Sequence, residues 1–413
     1  MKEIKSMTDK IIPWCVDPFV NFSHTADGFY RTCCIGTVDR SSIYHTNYMS
    51  PIEFFKSDLM NQVRADMITG EFSEVTKFTC RQCILNDKNG VISRRVKQNQ
   101  SLLNNTKTQK TIEKFRDNAW AEIDIEDLQY VNFKILGNLC NLKCLMCGPS
   151  ASSKIAAEYK KYNIITNIDK VIQNPFTDSN KQKYFDDLEK IISVIDRFLL
   201  VGGEAFINPN FDDIWNVLST NENSKNINLL IITNGTLIPK KVLNECDKFN
   251  NLHLMFSIDG VYNRGSYVRS GLDWKLFDSN VKMAIQSKAT ISFTVATSML
   301  NIGYLDEIYD YLKELGVNDN QIQWDALVTE PAHLQAVNLP KEIKQMYLEK
   351  LETHVAFQKD IRKFNTALDI LKNDHANHEE FLRGIRFLKK IDSIRKTKLL
   401  DHFPEFEKYY NDK

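Results

Sequence analysis

The pattern of apolar and polar residues changes about one third of the way along the chain. From about residue 128, short apolar runs alternate with segments whose apolar positions repeat every three or four residues. The apolar runs predict strands at 131–136, 197–203, 227–235, 252–260, 290–300 and 321–328. The amphipathic segments predict helices at 150–162, 208–220, 239–249, 274–287 and 304–316.

Strands that alternate with helices predict an α/β fold with a parallel sheet. Six such units suit either an open doubly wound sheet or an incomplete (β/α) barrel. In both architectures, ligands bind at the carboxyl ends of the strands. We therefore expect reactive residues directly after the apolar runs.

The two ends of the chain have a different character. Residues 1–90 are expected to be loop-rich, and residues 91–127 read as a polar connector with helical character. After residue 340 the pattern is helical and strongly charged. The stretch 381–398 has a basic face, which suits either a polyanion contact or, the simpler interpretation, the solvated side of a docked helix.

Composition adds few constraints on function. The 413 residues include 43% hydrophobic and 26% charged residues, with Lys+Arg and Asp+Glu both at 53. Balanced charge indicates neither a nucleic acid nor a membrane as partner. No apolar run is long enough for a signal sequence or a membrane span, so we expect a soluble, cytoplasmic protein.

The nine cysteines are unevenly distributed. Five lie in the first quarter, three lie in the segment GNLCNLKCLMCGPS, and Cys246 stands alone in an amphipathic helix pattern that suits a core residue. Thiols of a reducing compartment that cluster in this way indicate metal binding or catalysis. Structural zinc uses four ligands, whereas three thiolates in one loop suit an iron–sulfur cluster with one open iron.

The spacing C-x3-C-x2-C of Cys140, Cys144 and Cys147 after a first strand resembles the signature of the radical S-adenosylmethionine (SAM) enzymes. The resemblance implies that these three thiolates bind three irons of a 4Fe–4S cluster and that SAM chelates the fourth. The aromatic residue that usually precedes the last cysteine is Met146 here, so a thioether would face the adenine.

The strand ends that follow also resemble this family. LVGGEAF matches its GGE motif, in which glycines let the backbone approach the methionine group of SAM closely. The third strand ends in TNG and the fourth in FSIDG, where Asp259 and Gly260 are read as the turn itself. The serine of the fourth strand and an arginine twelve residues later would contact the carboxylate and ribose of SAM. The resemblance assigns SAM binding to Gly202, Gly203, Glu204, Asn234, Ser257 and Arg269.

The N-terminal cysteines resemble an auxiliary iron–sulfur domain of the twitch/SPASM type, placed before the barrel. Such domains use a Gly-x4-Cys element and a CxxC pair, and 50–71 matches their helical insert. The resemblance implies a second 4Fe–4S cluster on Cys15, Cys33, Cys80 and Cys83. Cys34 suits an alternate ligand, a hydrogen or proton donor or, the default interpretation, a small buried residue. Zinc in the same four thiolates is the alternative.

Together these features predict a partial (β/α)6 TIM-type barrel with an N-terminal cysteine-rich auxiliary-cluster domain and a helical C-terminal extension. The predicted domains are 1–90 auxiliary, 91–127 connector, 128–330 barrel and 331–413 extension. The resemblance implies reductive cleavage of SAM to a 5′-deoxyadenosyl radical, with an electron from a flavodoxin- or ferredoxin-like donor. The expected substrate is a peptide or protein side chain; the alternatives are a carbohydrate, nucleoside or small metabolite, or a non-catalytic metal-stabilised binding protein.

Overall fold

A computed structural model describes residues 13–90, 92–134, 137–164, 178–354, 356–357 and 364–411. The strands are β1 Asn21–His24, β2 Tyr30–Arg31, β3 Tyr130–Phe133, β4 Arg197–Leu200, β5 Asn228–Thr233, β6 Asn251–Ser257, β7 Thr290–Thr297 and β8 Ile322–Leu327. The helices of the first 250 residues are α1 Asp17–Val20, α2 Pro51–Phe55, α3 Asp58–Thr69, α4 Glu74–Thr79, α5 Arg81–Lys88, α6 Arg94–Leu102, α7 Thr106–Glu113, α8 Ser153–Lys161, α9 Asp178–Ile192, α10 Phe211–Thr220 and α11 Lys240–Asn244. Those that follow are α12 Tyr262–Val268, α13 Trp274–Ile285, α14 Leu305–Glu314, α15 Lys341–Thr353, α16 Asn365–Lys372, α17 His378–Arg395 and α18 Glu407–Asn411.

The chain divides into two compact units that interleave along the sequence. The first comprises 1–139, 171–231 and 245–252, and the second comprises 140–170, 232–244 and 253–413. This division does not coincide with the predicted boundaries at 90, 127 and 330, which stay predictions. Among the described residues, no helix is both long and apolar enough to cross a bilayer.

The first unit contains a sheet in the order β2-β1-β3-β4-β5. The hairpin pair β1–β2 is antiparallel, whereas β1–β3, β3–β4 and β4–β5 are parallel. The strands predicted near 131, 197 and 227 are confirmed, although residues 135–136 lie outside the described part of the chain. Strands β1 and β2 were not predicted, because the sequence NFSH lacks the apolar run of a buried strand.

The N-terminal quarter was expected to be loop-rich but contains several helices. The cause of this difference is local. Ser50, Ser57 and Ser73 each cap a helix by accepting a hydrogen bond from a backbone N–H of the first turn. At α2, Glu53 also accepts from the backbone N–H of Ser50, which completes a capping box. The predicted helical insert at 50–71 is confirmed as α2 and α3.

In the second unit, β6, β7 and β8 are parallel neighbours. Phe256 and Phe293 stack across β6 and β7 with their ring centroids 5.7 Å apart, and burying each ring contributes about 2 kcal/mol. Because these strands run in the same direction, Ser257, Thr297 and Leu327 end at the same edge. The described residues after 340 form the helices that the charged amphipathic pattern predicts.

Candidate functional site

The three-cysteine loop is anchored by backbone hydrogen bonds to the segment around Arg269. Lys143 N donates to Ser270 O over 2.8 Å, and Leu145 N donates to Val268 O over 2.9 Å. These two bonds flank Arg269 and hold it beside the loop. Cys140 and Cys144 are buried, and Cys147 is half-buried. A hydrogen bond between the thiols of Cys144 and Cys147 raises the pKa of Cys144 and lowers that of Cys147.

Arg269 is a buried cation that lies beside a carboxylate and the cysteine thiols. Its Nη1 donates to Asp259 Oδ2 over 2.5 Å, and Asp259 Oδ1 accepts from Ala296 N over 2.8 Å. Burial opposes the charge, but the neighbouring Cys144 and Asp259 raise the pKa of Arg269 above its usual value. The buried Nε of Arg269 has no hydrogen-bond partner among the described residues. Asp259, which was read as a turn residue, therefore orients Arg269.

Asn234, at the end of β5, contacts the first cysteine. Its Nδ2 donates to Asn141 Oδ1 over 2.9 Å and lies 3.8 Å from Cys140 Sγ. Thr236 completes the contact, because its N–H donates to Asn234 Oδ1 and its hydroxyl accepts from Asn141 Nδ2. The end of β5, the third strand of the predicted series, is thus joined to the cysteine loop.

Gly203 packs against the residues that immediately precede Cys140. A Cβ at this position would lie 2.4 Å from Leu139 O and 2.6 Å from Asn138 O, which only glycine avoids. The next residue, Glu204, donates its N–H to Leu139 O over 2.8 Å. The Glu204 side chain is buried and accepts from Phe206 N, so it caps a short 3-10 helix.

The C-terminal extension reaches the cysteine loop through Arg395, the last residue of α17. Arg395 Nη1 donates to Lys143 O over 2.9 Å, and Nη2 donates to Glu158 Oε2 over 2.6 Å. Lys143 Nζ donates to the other oxygen of Glu158. No local sequence signal marks this contact, because 237 residues separate Arg395 from Glu158.

Three other residues are predicted to contact SAM. Ser257 is half-buried at the carboxyl end of β6, and Met146 and Gly202 are half-buried in their loops. Their roles stay predictions.

The four predicted auxiliary ligands line one small cavity. Cys15, Cys33, Cys80 and Cys83 surround about 20 Å³ of space, and the CxxC spacing places Cys80 and Cys83 on the same side of the first turn of α5. Burial, together with the neighbouring Cys83, raises the pKa of Cys80 to about 12. Cys34 is half-buried and does not line the cavity, so it is more exposed than the buried residue of the default interpretation.

Polar groups around this cavity suit a polyanionic cluster. The Nε atom of Arg94 and the hydroxyl of Thr32 are buried without a hydrogen-bond partner among the described residues, and Arg95 also lines the cavity. Arg94 lies 3.5 Å from the buried Asp17 and close to the thiols of Cys33 and Cys34. Unsatisfied donors and two arginines would stabilise four thiolates and the sulfides between them.

The cysteine groups do not form a preassembled site for a single metal ion among the described residues. Within the described ranges, no three His, Cys, Asp or Glu side chains are close enough together to hold a single metal ion. In a cubane each thiolate binds a different iron, so its thiolates stand further apart than zinc ligands do.

One known family resembles the part of the chain that contains the first site. Residues 135–276 match the model of the family described as the Radical SAM superfamily. This part of the chain is therefore similar to the radical SAM enzymes. The match contains the three-cysteine loop and every predicted SAM contact, whereas the four auxiliary cysteines lie outside it.

Solved structures that resemble the chain include proteins with bound AdoMet. The structure of native anSMEcpe with bound AdoMet has 16% identity over 56% of this chain and 62% of that chain, with a TM-score of 0.40. Streptococcus suis SuiB bound to the precursor peptide SuiA has 13% identity over 75% and 68%, with a TM-score of 0.39. This chain spans 59–62% of the length of the anSMEcpe structures. No curated protein matches it.

The structure also tests the expectations for Cys246 and for two histidines. Cys246 is buried in the first unit, as expected of a core residue. His375 and His378 are solvent-exposed. Within residues 135–276, Asp259 is the functional candidate whose role the sequence did not reveal. Outside this range, Arg395 is another. Both act through contacts that depend on the fold.

Proposed function

We propose that this protein is a radical SAM enzyme, which cleaves SAM reductively to a 5′-deoxyadenosyl radical and abstracts a hydrogen atom from its substrate. The observation that carries the proposal is the buried guanidinium of Arg269 beside Cys144 and Cys147. Its unpartnered Nε suits an additional anion, and a carboxylate is the geometrical match of an arginine fork.

The residues of the chain have separate roles in this proposal. Cys140, Cys144 and Cys147 would hold a 4Fe–4S cluster, which supplies the electron for SAM cleavage when bound. Asn234 keeps the Cys140 thiol in place. The backbone of Gly202, Gly203 and Glu204 would bind the methionine ammonium. Ser257 and Arg269 would bind the carboxylate and ribose, and Met146 would contact the adenine.

The substrate in this proposal is a peptide or protein side chain, and the electron donor is a flavodoxin- or ferredoxin-like protein. Cys15, Cys33, Cys80 and Cys83 would hold an auxiliary 4Fe–4S cluster, a proposal supported by the shared cavity and its unsatisfied donors. Four protein ligands leave no iron open, which favours electron transfer or scaffolding over direct binding of substrate.

The decisive experiment is anaerobic reconstitution with iron and sulfide, followed by SAM and dithionite. We expect 5′-deoxyadenosine from the wild type and from Cys246→Ala, a buried cysteine outside both sites, and none from Cys144→Ala. A wild type that yields no more than Cys144→Ala would instead support a metal-stabilised binding protein.

Iron content tests the auxiliary site independently of turnover. Two cubane clusters correspond to about eight irons per chain, and loss of one to about four. We expect Cys80→Ala to retain about four irons and Cys34→Ala to retain about eight. Equal losses from the two variants would contradict the assignment of the four ligands, and zinc in the wild-type site would contradict the cluster.

A further inference from the structure

A cavity of about 590 Å³ opens beside the third cysteine of the loop. Cys147 and the three residues that follow it form one side, and helix α17 forms another. Sites for small molecules commonly enclose about 300–1,000 Å³, so this cavity has the size of a ligand site. All the residues that line it belong to the second unit.

The cavity is lined by segments that follow the carboxyl ends of strands, where active sites are expected. Glu330 and His333, which line it, follow the carboxyl end of β8, and Cys147 belongs to the loop that follows β3 in the chain. Carboxyl ends of barrel strands carry the active sites of this architecture. A ligand in this cavity would therefore contact the loop that is proposed to hold the cluster.

Helix α17 gives the cavity a basic wall. Arg383, Arg386 and Lys390 line it, and their spacing of three and four residues places them on one face of the helix. Arg383 and Arg386 form exposed ion pairs with Glu380 and Glu379, at 3.2 Å and 2.6 Å. Exposed pairs contribute about 0–1 kcal/mol, so an incoming anion can replace them. In the described part of the chain, Lys390 has no ion pair.

The base of the cavity is aromatic. Phe387 lies between His333 and Tyr159, with ring centroids 4.8 Å and 6.4 Å away. The Nε2 atom of His333 is buried and has no hydrogen-bond partner among the described residues. Apolar walls with a few polar groups are typical of small-molecule sites, whereas a docking face for an electron-transfer protein is commonly broad and flat.

We infer that this cavity binds the substrate and selects a ligand that carries a carboxylate or phosphate on an apolar body. The inference rests on the proposed function and adds the chemical class of the substrate. Arg383 and Lys390 bind the anion, and Phe387 packs against the apolar body. An acidic residue of a peptide and a free organic phosphate share this chemistry.

Calorimetric titration of the reconstituted full-length protein, without reductant, tests the inference. The probes are 1-naphthyl phosphate and the peptide acetyl-Phe-Glu-amide, each compared with its neutral counterpart, 1-naphthol and acetyl-Phe-Gln-amide. We expect at least one charged probe to bind more tightly than its neutral form, and the one that binds identifies the source of the anion. Absence of binding by both charged probes overturns the inference.

Charge variants on one helix separate a specific site from general attraction. We expect Arg383→Gln with Lys390→Gln to weaken binding about tenfold or more, because two charge-assisted contacts are lost. Lys389→Gln is the matched control, since Lys389 does not line this cavity and packs on Tyr410 instead. An equal effect of Lys389→Gln overturns the inference.

Two further measurements distinguish a failure of this inference from a failure of the proposed function. Dithionite-driven formation of 5′-deoxyadenosine by the wild type reports on SAM cleavage alone, whereas the titration reports on the cavity alone. One alternative outcome is that the double variant binds the probes normally and forms 5′-deoxyadenosine with dithionite but not with flavodoxin. The basic wall would then be a docking site for the electron donor. That outcome also overturns the inference.

Discussion

Arg269 donates a hydrogen bond to Asp259, and both side chains are more than 90% buried. The aspartate is fixed in turn by the backbone N–H of Ala296 in β7, so the guanidinium is held by the sheet itself. A buried ion pair of this kind contributes little net stability, but it orients a cation. Here the cation lies beside the Cys144 and Cys147 thiols.

Substitutions at this pair are expected to separate positioning from cluster binding. Arg269→Lys keeps the charge but loses the fork, so SAM affinity should fall about tenfold while iron content stays unchanged. Asp259→Asn leaves the buried guanidinium without its counter-charge and should lower the free energy of unfolding by about 3 kcal/mol. Iron analysis, SAM titration and urea unfolding measure these effects. Loss of iron from Arg269→Lys would show that the residue supports the cluster instead.

Gly203→Ala is expected to disrupt the turn at the start of the cysteine loop. The added methyl group would meet two carbonyl oxygens of residues 138 and 139, so either the GGE turn or the loop must shift. We expect a loss of about 2 kcal/mol in unfolding free energy and weaker SAM binding.

Gly148→Ala is the matched control, because no atom lies within 4 Å of its added Cβ. It lies next to Cys147 and should change stability by less than about 0.5 kcal/mol. Equal effects of the two glycine substitutions would disprove the steric explanation.

Arg395→Ala is expected to loosen the cysteine loop from a distance. Arg395 bonds both the Lys143 carbonyl and the Glu158 carboxylate, and Lys143 alone would remain to neutralise Glu158. We expect a loss of about 2 kcal/mol in unfolding free energy and faster removal of iron by a chelator. Lys389→Ala, on the same helix, should change neither. A normal rate of iron loss from Arg395→Ala would contradict the link to the loop.

His24 is expected to make the metal-free protein sensitive to acid. Burial, with a smaller contribution from Arg31, lowers the pKa of His24 from 6.5 to about 3. The unfolded chain therefore binds a proton below pH 6.5 that the folded chain excludes, and stability falls as the pH decreases from 6.5 towards 3. At pH 4.5 this loss amounts to about 3 kcal/mol.

Urea unfolding at pH 7 and pH 4.5 measures that loss. His24→Gln can still accept the hydrogen bond of the Tyr184 hydroxyl and should lose less stability between the two values. His378→Gln, which replaces an exposed histidine, should behave as the wild type does. An unchanged acid sensitivity of His24→Gln would assign the effect to other groups.

The sequence alone determined strands β3 to β8 and the local motifs of the first site. Alternating apolar and amphipathic segments predicted β3 to β8, because strand and helix periodicity are properties of neighbouring residues. The spacing of Cys140, Cys144 and Cys147 is equally local, and so are the GGE and TNG strand ends. The similarity of residues 135–276 to the radical SAM enzymes was therefore recognisable.

Tertiary structure alone decided how these parts are supported. Strand β1 has no apolar run and exists through its parallel pairing with β3, more than 100 residues away. The gathering of Cys15, Cys33, Cys80 and Cys83 in one cavity depends on how α1, α4 and α5 pack. Asp259 and Arg395 acquire their roles through contacts across the fold. Local periodicity does not encode such contacts, because they depend on which surfaces the packed chain brings together.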